Sequence, residues 1–180
     1  MSRQDVLRDM IRSDRIPNTV IIESMSPEDL ASFLAAAAVC SSDGPEKPCG
    51  LCPDCKKAKS GTHPDITEIR PVGKANVITV EMARELRSDA YIQPNDADRK
   101  VYILYNADLC TEQAANALLK ILEEPPVYAV FILCCASAGS LLPTVRSRGV
   151  IVSDFGEAKT VVAGKIQKKA EEIRNYIKHL

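Results

Sequence analysis

Tryptophan is absent from the 180 residues, and three Phe with five Tyr bring the aromatics to only 4%. A platform on which successive bases of a single strand could stack is therefore poorly supplied. Neither sign of charge dominates: 23 Lys and Arg stand against 24 Asp and Glu, a net charge of −1. Without a global basic excess, any contact with nucleic acid has to be local or come through partners. No apolar run approaches membrane-spanning length, and MSRQDVLRDMIRSDRIPNTV holds no stretch resembling a signal peptide. The expectation is a cytoplasmic protein with no membrane partner. In that reducing compartment disulfides are disfavoured, so the seven cysteines read as metal ligands or buried thiols. Internal repeats and low-complexity segments are missing too.

What is present is an alternation of strands and helices. The length suits one domain with a sizeable core, or one domain plus a short appended piece. Val6, Leu7, Met10 and Ile11 give residues 2–13 the spacing of a short amphipathic helix. Asn18–Ile22 is a β-branched run that reads as a buried strand. Ser26-Pro27-Glu28-Asp29 then reads as a helix start, with Ser26 capping, Pro27 at the first helical position and Asp29 completing a capping box. That helix runs to about Val39. Residues 40–60 break the rhythm with Cys, Gly, Pro and Lys, as an inserted knot would. A strand at Ile66–Arg70, a turn at Pro71-Val72-Gly73 and a helix Val80–Ala90 capped by Thr79 follow.

Val101–Tyr105 and Tyr128–Cys135 are continuous apolar runs, the pattern of strands buried on both faces. Between them Thr111 opens a helix whose Ala114, Ala117, Leu118, Ile121 and Leu122 share one face, and Pro125-Pro126 ends it. Val150–Val152 makes a last short strand. The implied class is α/β with a mostly parallel sheet covered on both sides. From Glu157 the tail is lysine-rich, with Val162, Ile166, Ile173, Ile177 and Leu180 at helical spacing, and it stops without a cap, as a truncated piece would.

Cys40, Cys49, Cys52 and Cys55 have the spacing C-x8-C-x2-C-x2-C. Four thiolates surround Zn²⁺ tetrahedrally, and the CGLCPDC turn presents three of them, shaped by Gly50 and Pro53. The fourth, Cys40, comes from the end of the preceding helix. Such a site is structural, because four protein thiolates leave no position open for water or substrate. Buried or reactive free thiols, including a redox CxxC, are the competing reading. His63 is a spare ligand by type, but within His63-Pro64-Asp65 it suits loop geometry better. Cys110 is remote, and Cys134 and Cys135 fall inside an apolar strand where core packing explains them.

Cysteines inserted after the first helix, then HPD, GKANVITVEMAREL, EQAANALLKILEEPP (Glu112–Pro126) and LLPTVRSRG (Leu141–Gly149), resemble the bacterial DNA polymerase III clamp-loader family. The resemblance runs from about residue 15 to 155. It implies an AAA+ fold, a P-loop NTPase-like α/β domain over residues 1–156 with the zinc-binding module at 40–60 inserted. Residues 157–180 would then begin the helical lid that follows in that family.

The departures carry the functional reading. Active members of that family have G-x-x-x-x-G-K-[ST] between first strand and helix, where glycines let backbone N–H groups approach phosphate, Lys adds charge and Ser or Thr holds Mg²⁺. Glu23–Asp29 reads ESMSPED, without a Gly or Lys. Pro27 removes a donor, and Glu28 and Asp29 place carboxylates where phosphate would sit. Where the family has Asp-Glu after the next core strand, this chain has Tyr105-Asn106, and Asp108 comes too late, to cap or solvate the following turn. Cys134-Cys135 replaces the polar sensor at the end of the following strand. No bound ATP and no ATPase activity are expected of the chain itself.

Ser147-Arg148 survives from the family's Ser-Arg-Cys motif, with Gly149 in place of Cys. The resemblance implies that Arg148 is an arginine finger reaching the γ-phosphate held by an adjacent subunit. A surface or salt-bridging Arg is the plain alternative, and neighbouring Arg146 could take either role. Loss in cis with a donor kept for use in trans is the delta-prime pattern within the family. Its partners would be gamma/tau-like ATPases and a delta-like subunit, with the sliding clamp and primer-template DNA reached through the assembly. Two other readings are a gamma/tau-like ATPase, and a zinc-ribbon nucleic-acid-binding module supported by Lys56, Lys57 and Lys59.

Overall fold

A computed structural model describes residues 11, 16–44 and 46–153. The expected N-terminal helix, apart from Ile11, and the 157–180 tail with its lid segment lie outside the described residues. Elements run β1 (Thr19–Glu23), α1 (Glu28–Val39), α2 (Pro53–Lys59), β2 (Ile66–Ile69), α3 (Val80–Ala90) and β3 (Lys100–Leu104), then α4 (Glu112–Glu123), β4 (Ala129–Cys135), α5 (Pro143–Arg146) and β5 (Val150–Ser153). The strands form one sheet in the order β2-β3-β4-β1-β5, and every pairing is parallel. No helix among the described residues is long and apolar enough to cross a membrane.

Period-two alternation divides the apolar strand residues between two layers of helix. Phe131, Leu133 and Cys135 of β4 face α3 and α4, where Leu86, Leu118, Ile121 and Leu122 are buried. Val130, Ile132 and Cys134 face the other way, onto Ala31, Leu34, Ala35 and Ala38 of α1. Each large apolar side chain so buried contributes about 2 kcal/mol, so both layers hold the sheet. Cys134 and Cys135 are therefore core residues, as expected of them.

Helix ends follow the polar residues that precede them. The Thr79 hydroxyl accepts from Met82 N at 3.5 Å, and the Thr111 hydroxyl accepts from Ala114 N at 3.1 Å. Helix α4 stops at Glu123, just ahead of Pro125-Pro126, because proline offers no N–H and restricts the residue before it. The start of α1 departs from expectation. Pro27, not Ser26, occupies the cap position, and no side chain caps the helix, so neither the Ser26 cap nor the capping box with Asp29 forms. Ser26 instead donates its own N–H to the Ser24 hydroxyl at 3.1 Å. Within the cysteine segment the chain forms the short helix α2, which sequence reading left as part of a knot.

One buried carboxylate organises the approach to the sheet. Asp65 lies just before β2 and is fully buried. It accepts from Asn95 N at 2.6 Å, Asn95 Nδ2 at 3.2 Å, Asp96 N at 2.7 Å and Ala97 N at 2.9 Å. Burial alone would push its carboxyl up, but the N–H groups of Asn95, Ala97 and Asp96 outweigh it and hold Asp65 below the usual carboxylate range. A depressed folded value stabilises the protein above the unfolded value near 4, and that stability is lost as pH falls through the folded value. Asp65→Asn turns an NH₂ toward some of these donors. It should cost about 2–4 kcal/mol in urea unfolding, and the difference from wild type should shrink as pH drops below about 4. A loss under about 0.5 kcal/mol would contradict this role for Asp65.

Candidate functional site

In an open parallel sheet, ligands bind outside the carboxyl ends of the strands, where connections diverge to opposite faces. Here that edge is formed by Glu23 of β1, Leu104 of β3 and Cys135 of β4. Only Ser24-Met25-Ser26-Pro27 separates β1 from α1. The segment is tied down by its own hydrogen bonds. Ser24 N donates to Cys135 O at 3.0 Å, and the Ser24 hydroxyl takes the Ser26 N–H. Glu23 spans the strand tips: one carboxylate oxygen accepts from Ala138 N at 2.9 Å and the other from the Ser153 hydroxyl at 2.8 Å. A phosphate cradle needs successive backbone N–H groups turned toward one point. Two of the available ones are spent on Cys135 O and Ser24 Oγ, Pro27 has none, and exposed Glu28 and Asp29 follow in the first turn.

The second acidic position is equally altered. Tyr105 is buried, its N–H donates to Ile69 O at 2.9 Å, and the Arg70 guanidinium lies 3.6 Å from its ring centroid. Burial raises its hydroxyl pKa. Asn106 sits at φ 52°, ψ 48°, a left-handed conformation that Asn tolerates better than most side chains. At the tip of β4, Cys135 Sγ donates to Ile22 O at 3.7 Å. Burial first, then the charges of Asp108 and Glu23, push the Cys135 thiol to about 12. Burial and Cys135 do the same for Cys134, also to about 12. None of these groups offers the paired carboxylate that Mg²⁺ needs. Asp108 does not cap its turn. It borders a cavity of about 200 Å³ with Leu104, Leu133 and Val145, and its Oδ1 is buried without a hydrogen-bond partner.

The four clustered cysteines come together from two helices. Cys40 terminates α1, Cys52 is the cap of α2, Cys55 lies in its first turn, and Cys49 precedes both. All four sulfurs lie within 4.8 Å of one another, with Cys40–Cys52 at 3.9 Å and Cys49–Cys55 at 4.0 Å. A tetrahedron of thiolates at about 2.3 Å from a metal has edges of about 3.8 Å, so the group fits such an ion. Backbone N–H groups support the sulfurs: Cys49 N to Cys40 Sγ at 3.5 Å, Cys52 N to Cys49 Sγ at 3.4 Å and Cys55 N to Cys52 Sγ at 3.3 Å. Burial opposes ionisation of Cys52, yet the Cys55 N–H and Ser41 overcome it and bring this thiol to about 6. Burial and the adjacent thiols push Cys55 the other way.

His63 stays outside this group. Its Nδ1 accepts from Asp65 N at 3.1 Å, and its buried Nε2 lies 3.4 Å from Asp54 Oδ1 without a hydrogen-bond partner among the described residues. The HPD residues thus shape the loop, as sequence reading held. Lys56, Lys57 and Lys59 occupy the last turn of α2, where cations complement the helix dipole, and Lys57 pairs with Asp96.

Arg148 follows α5 at the surface. Its Nη1 donates to Thr144 O at 2.8 Å and to the Ser147 hydroxyl at 3.1 Å, and its Nη2 pairs with Glu123 at the end of α4. Gly149 is there for room: a Cβ would meet Ile21 Cγ1 and Cδ1 at 2.7 Å and Thr19 Cγ2 at 3.1 Å. Sequence reading singled out Arg148 and the cysteines, and the structure brings the four cysteines together. It missed Glu23, Glu123 and Asp65, whose partners lie 25 to 130 residues away. The only local signal for Glu23 was an acid ending an apolar run.

The chain matches the family described as "DNA polymerase III, delta subunit" over residues 2–155. Among curated proteins it is similar to DNA polymerase III subunit delta' of Yersinia pestis, 43% identical over 57% of this chain and 30% of that protein. The subunit delta' of Bacillus subtilis is 33% identical over 79% of this chain and 44% of that protein. Among solved structures, a DNA polymerase III gamma subunit-related protein of Thermotoga maritima superposes with a TM-score of 0.58 at 27% identity, covering 88% of this chain and 47% of that one. The chain thus spans less than half the length of these relatives.

The tied-down β1–α1 segment makes a direct forecast. Calorimetric titration with ATP and Mg²⁺ should give no saturable binding tighter than about 1 mM. A micromolar dissociation constant would contradict it.

Proposed function

Because the chain belongs to the DNA polymerase III delta-subunit family, among the clamp-loader proteins, we propose that it is a delta-prime-type subunit that hydrolyses no ATP and lends Arg148 to a neighbour's ATP site. Its fold is the AAA+ P-loop α/β fold that the resemblance implied. One contrast supports the reading: at the strand ends the phosphate position is tied up by Glu23 and Ser24, while Arg148 stands at the surface. In phosphoryl transfer, charge spreads over the oxygens of the moving group, and an Arg supplied in trans stabilises it. A planar guanidinium grips two oxygens at once, which an ammonium does not.

The proposed partners are gamma/tau-like ATPases and a delta-like subunit, with the sliding clamp and primer-template DNA engaged through the assembly, in the cytoplasm. A gamma/tau-like ATPase of the same fold would need Gly and Lys where Glu23–Asp29 has neither. A zinc-ribbon nucleic-acid module would rest on the lysines of α2, which are accounted for by the helix end and by Asp96.

The cysteine group is proposed to hold one structural Zn²⁺, since four soft thiolates in a closed tetrahedral set favour that ion and leave no catalytic position. When bound, the ion would clamp the end of α1 to α2. Metal analysis should find one zinc per chain. Replacing Cys40, Cys49, Cys52 or Cys55 singly with Ser should lower that content and loosen residues 40–60 while the sheet stays folded. Far less than one zinc in the intact protein would end this reading.

Arg148 is tested in a loader reconstituted with the full-length subunit. Arg148→Ala should lower clamp- and DNA-stimulated ATP turnover while assembly persists. A donor of this kind contributes on the order of a thousandfold at its own site, and total turnover should fall by less because other sites keep their own donors. Arg148→Lys should rescue poorly, and Arg146→Ala should be milder. Unchanged turnover in an assembled Arg148→Ala loader would leave the subunit a scaffold.

A further inference from the structure

We infer that Glu123 is a positioning residue for Arg148, an inference that rests on reading Arg148 as a donor in trans. Glu123 closes α4, in the LLKILEEPP segment, and both of that segment's carboxylate residues are exposed. A carboxylate at a helix C-terminus meets the negative end of the dipole, and among the described residues no ion pair joins Glu123 to Lys120 one turn back, the basic residue of that last turn. A cation brought to that place removes the conflict, and the cation is Arg148, 25 residues along the chain.

The packing beneath fixes the pair. Val145 of α5 is buried in the same core cluster as Leu118, Ile121 and Leu122 of α4, which holds the two helix ends side by side. Above it the guanidinium is gripped on three acceptors: Thr144 O, the Ser147 hydroxyl and the Glu123 carboxylate. Thr144 O and Ser147 act on Nη1, and only Glu123 acts on Nη2. Nε–H and one Nη2–H make no hydrogen bond among the described residues, and two such donors suit a phosphate oxygen pair. Held in this way, the side chain loses little freedom on meeting phosphate, whereas a long unrestrained Arg would lose much of it. Arg146, two residues earlier, is exposed and has no such hold among the described residues.

An exposed ion pair of this kind adds little to stability, so its use must show in turnover. In the reconstituted loader, Glu123→Gln should lower stimulated kcat several-fold, by less than Arg148→Ala does, with KM for ATP unchanged, because the finger acts on the transition state. Glu123→Asp should restore part of the loss. In an Arg148→Ala background, Glu123→Gln should do nothing further. Wild-type turnover for Glu123→Gln, beside a clear loss for Arg148→Ala, would overturn the positioning role and leave the finger reading intact. Raised turnover would make Glu123 a restraint and overturn it also, as would an equal loss in the Arg148→Ala background. No loss for Arg148→Ala itself would sink both readings together.

Discussion

The constraint on which the rest depends is the parallel pairing of β1 between β4 and β5, which brings three strand tips to one edge. That edge is where an open α/β sheet takes its ligand. In this protein Glu23 spends both carboxylate oxygens there, on the Ala138 N–H and the Ser153 hydroxyl, and Ser24 spends its N–H on Cys135 O. On the proposed reading, an edge so tied trades ligand recognition for internal order. Tyr105 and Cys135 complete the exchange, since both are buried side chains where a nucleotide enzyme needs polar ones reaching into the crevice.

The same frame sets Arg148 in place. β5 returns beside β1, so the chain after α5 passes close over the Ile21 and Thr19 side chains, and Gly149 fits there without displacing them. The residue before that close approach is Arg148, directed along the surface to Glu123. The two halves of the proposal meet on one strand: the tip of β1 is tied down by Glu23 and Ser24, and β1 also pairs with the strand that follows Arg148.

Much of this was legible in the chain. Apolar runs such as YAVFILCC announce strands buried on both faces, and Thr79 and Thr111 mark helix starts because a hydroxyl there meets a backbone N–H two or three residues on. The four cysteines announce themselves by spacing alone. Less legible were groups whose partners are distant. Asp65 looks like any acid in a loop until residues 95–97 fold over it, and Glu123 looks like a solvated helix end until Arg148 arrives. Ser26 misled for a local reason: Ser24 captured its N–H and Pro27 took the cap position, so standard cap chemistry gave way to the tied loop.

The central claim is that the crevice of this subunit carries no nucleotide even when its partners do. Photolabelling an assembled, clamp- and DNA-bound loader with a photoreactive ATP analogue tests it most directly, because the label records where nucleotide sits in the working complex. The account predicts label on ATP-binding neighbours and none on the segment from Ser24 to Asp29 of this chain. Saturable label on that segment, competed by ATP, would contradict it.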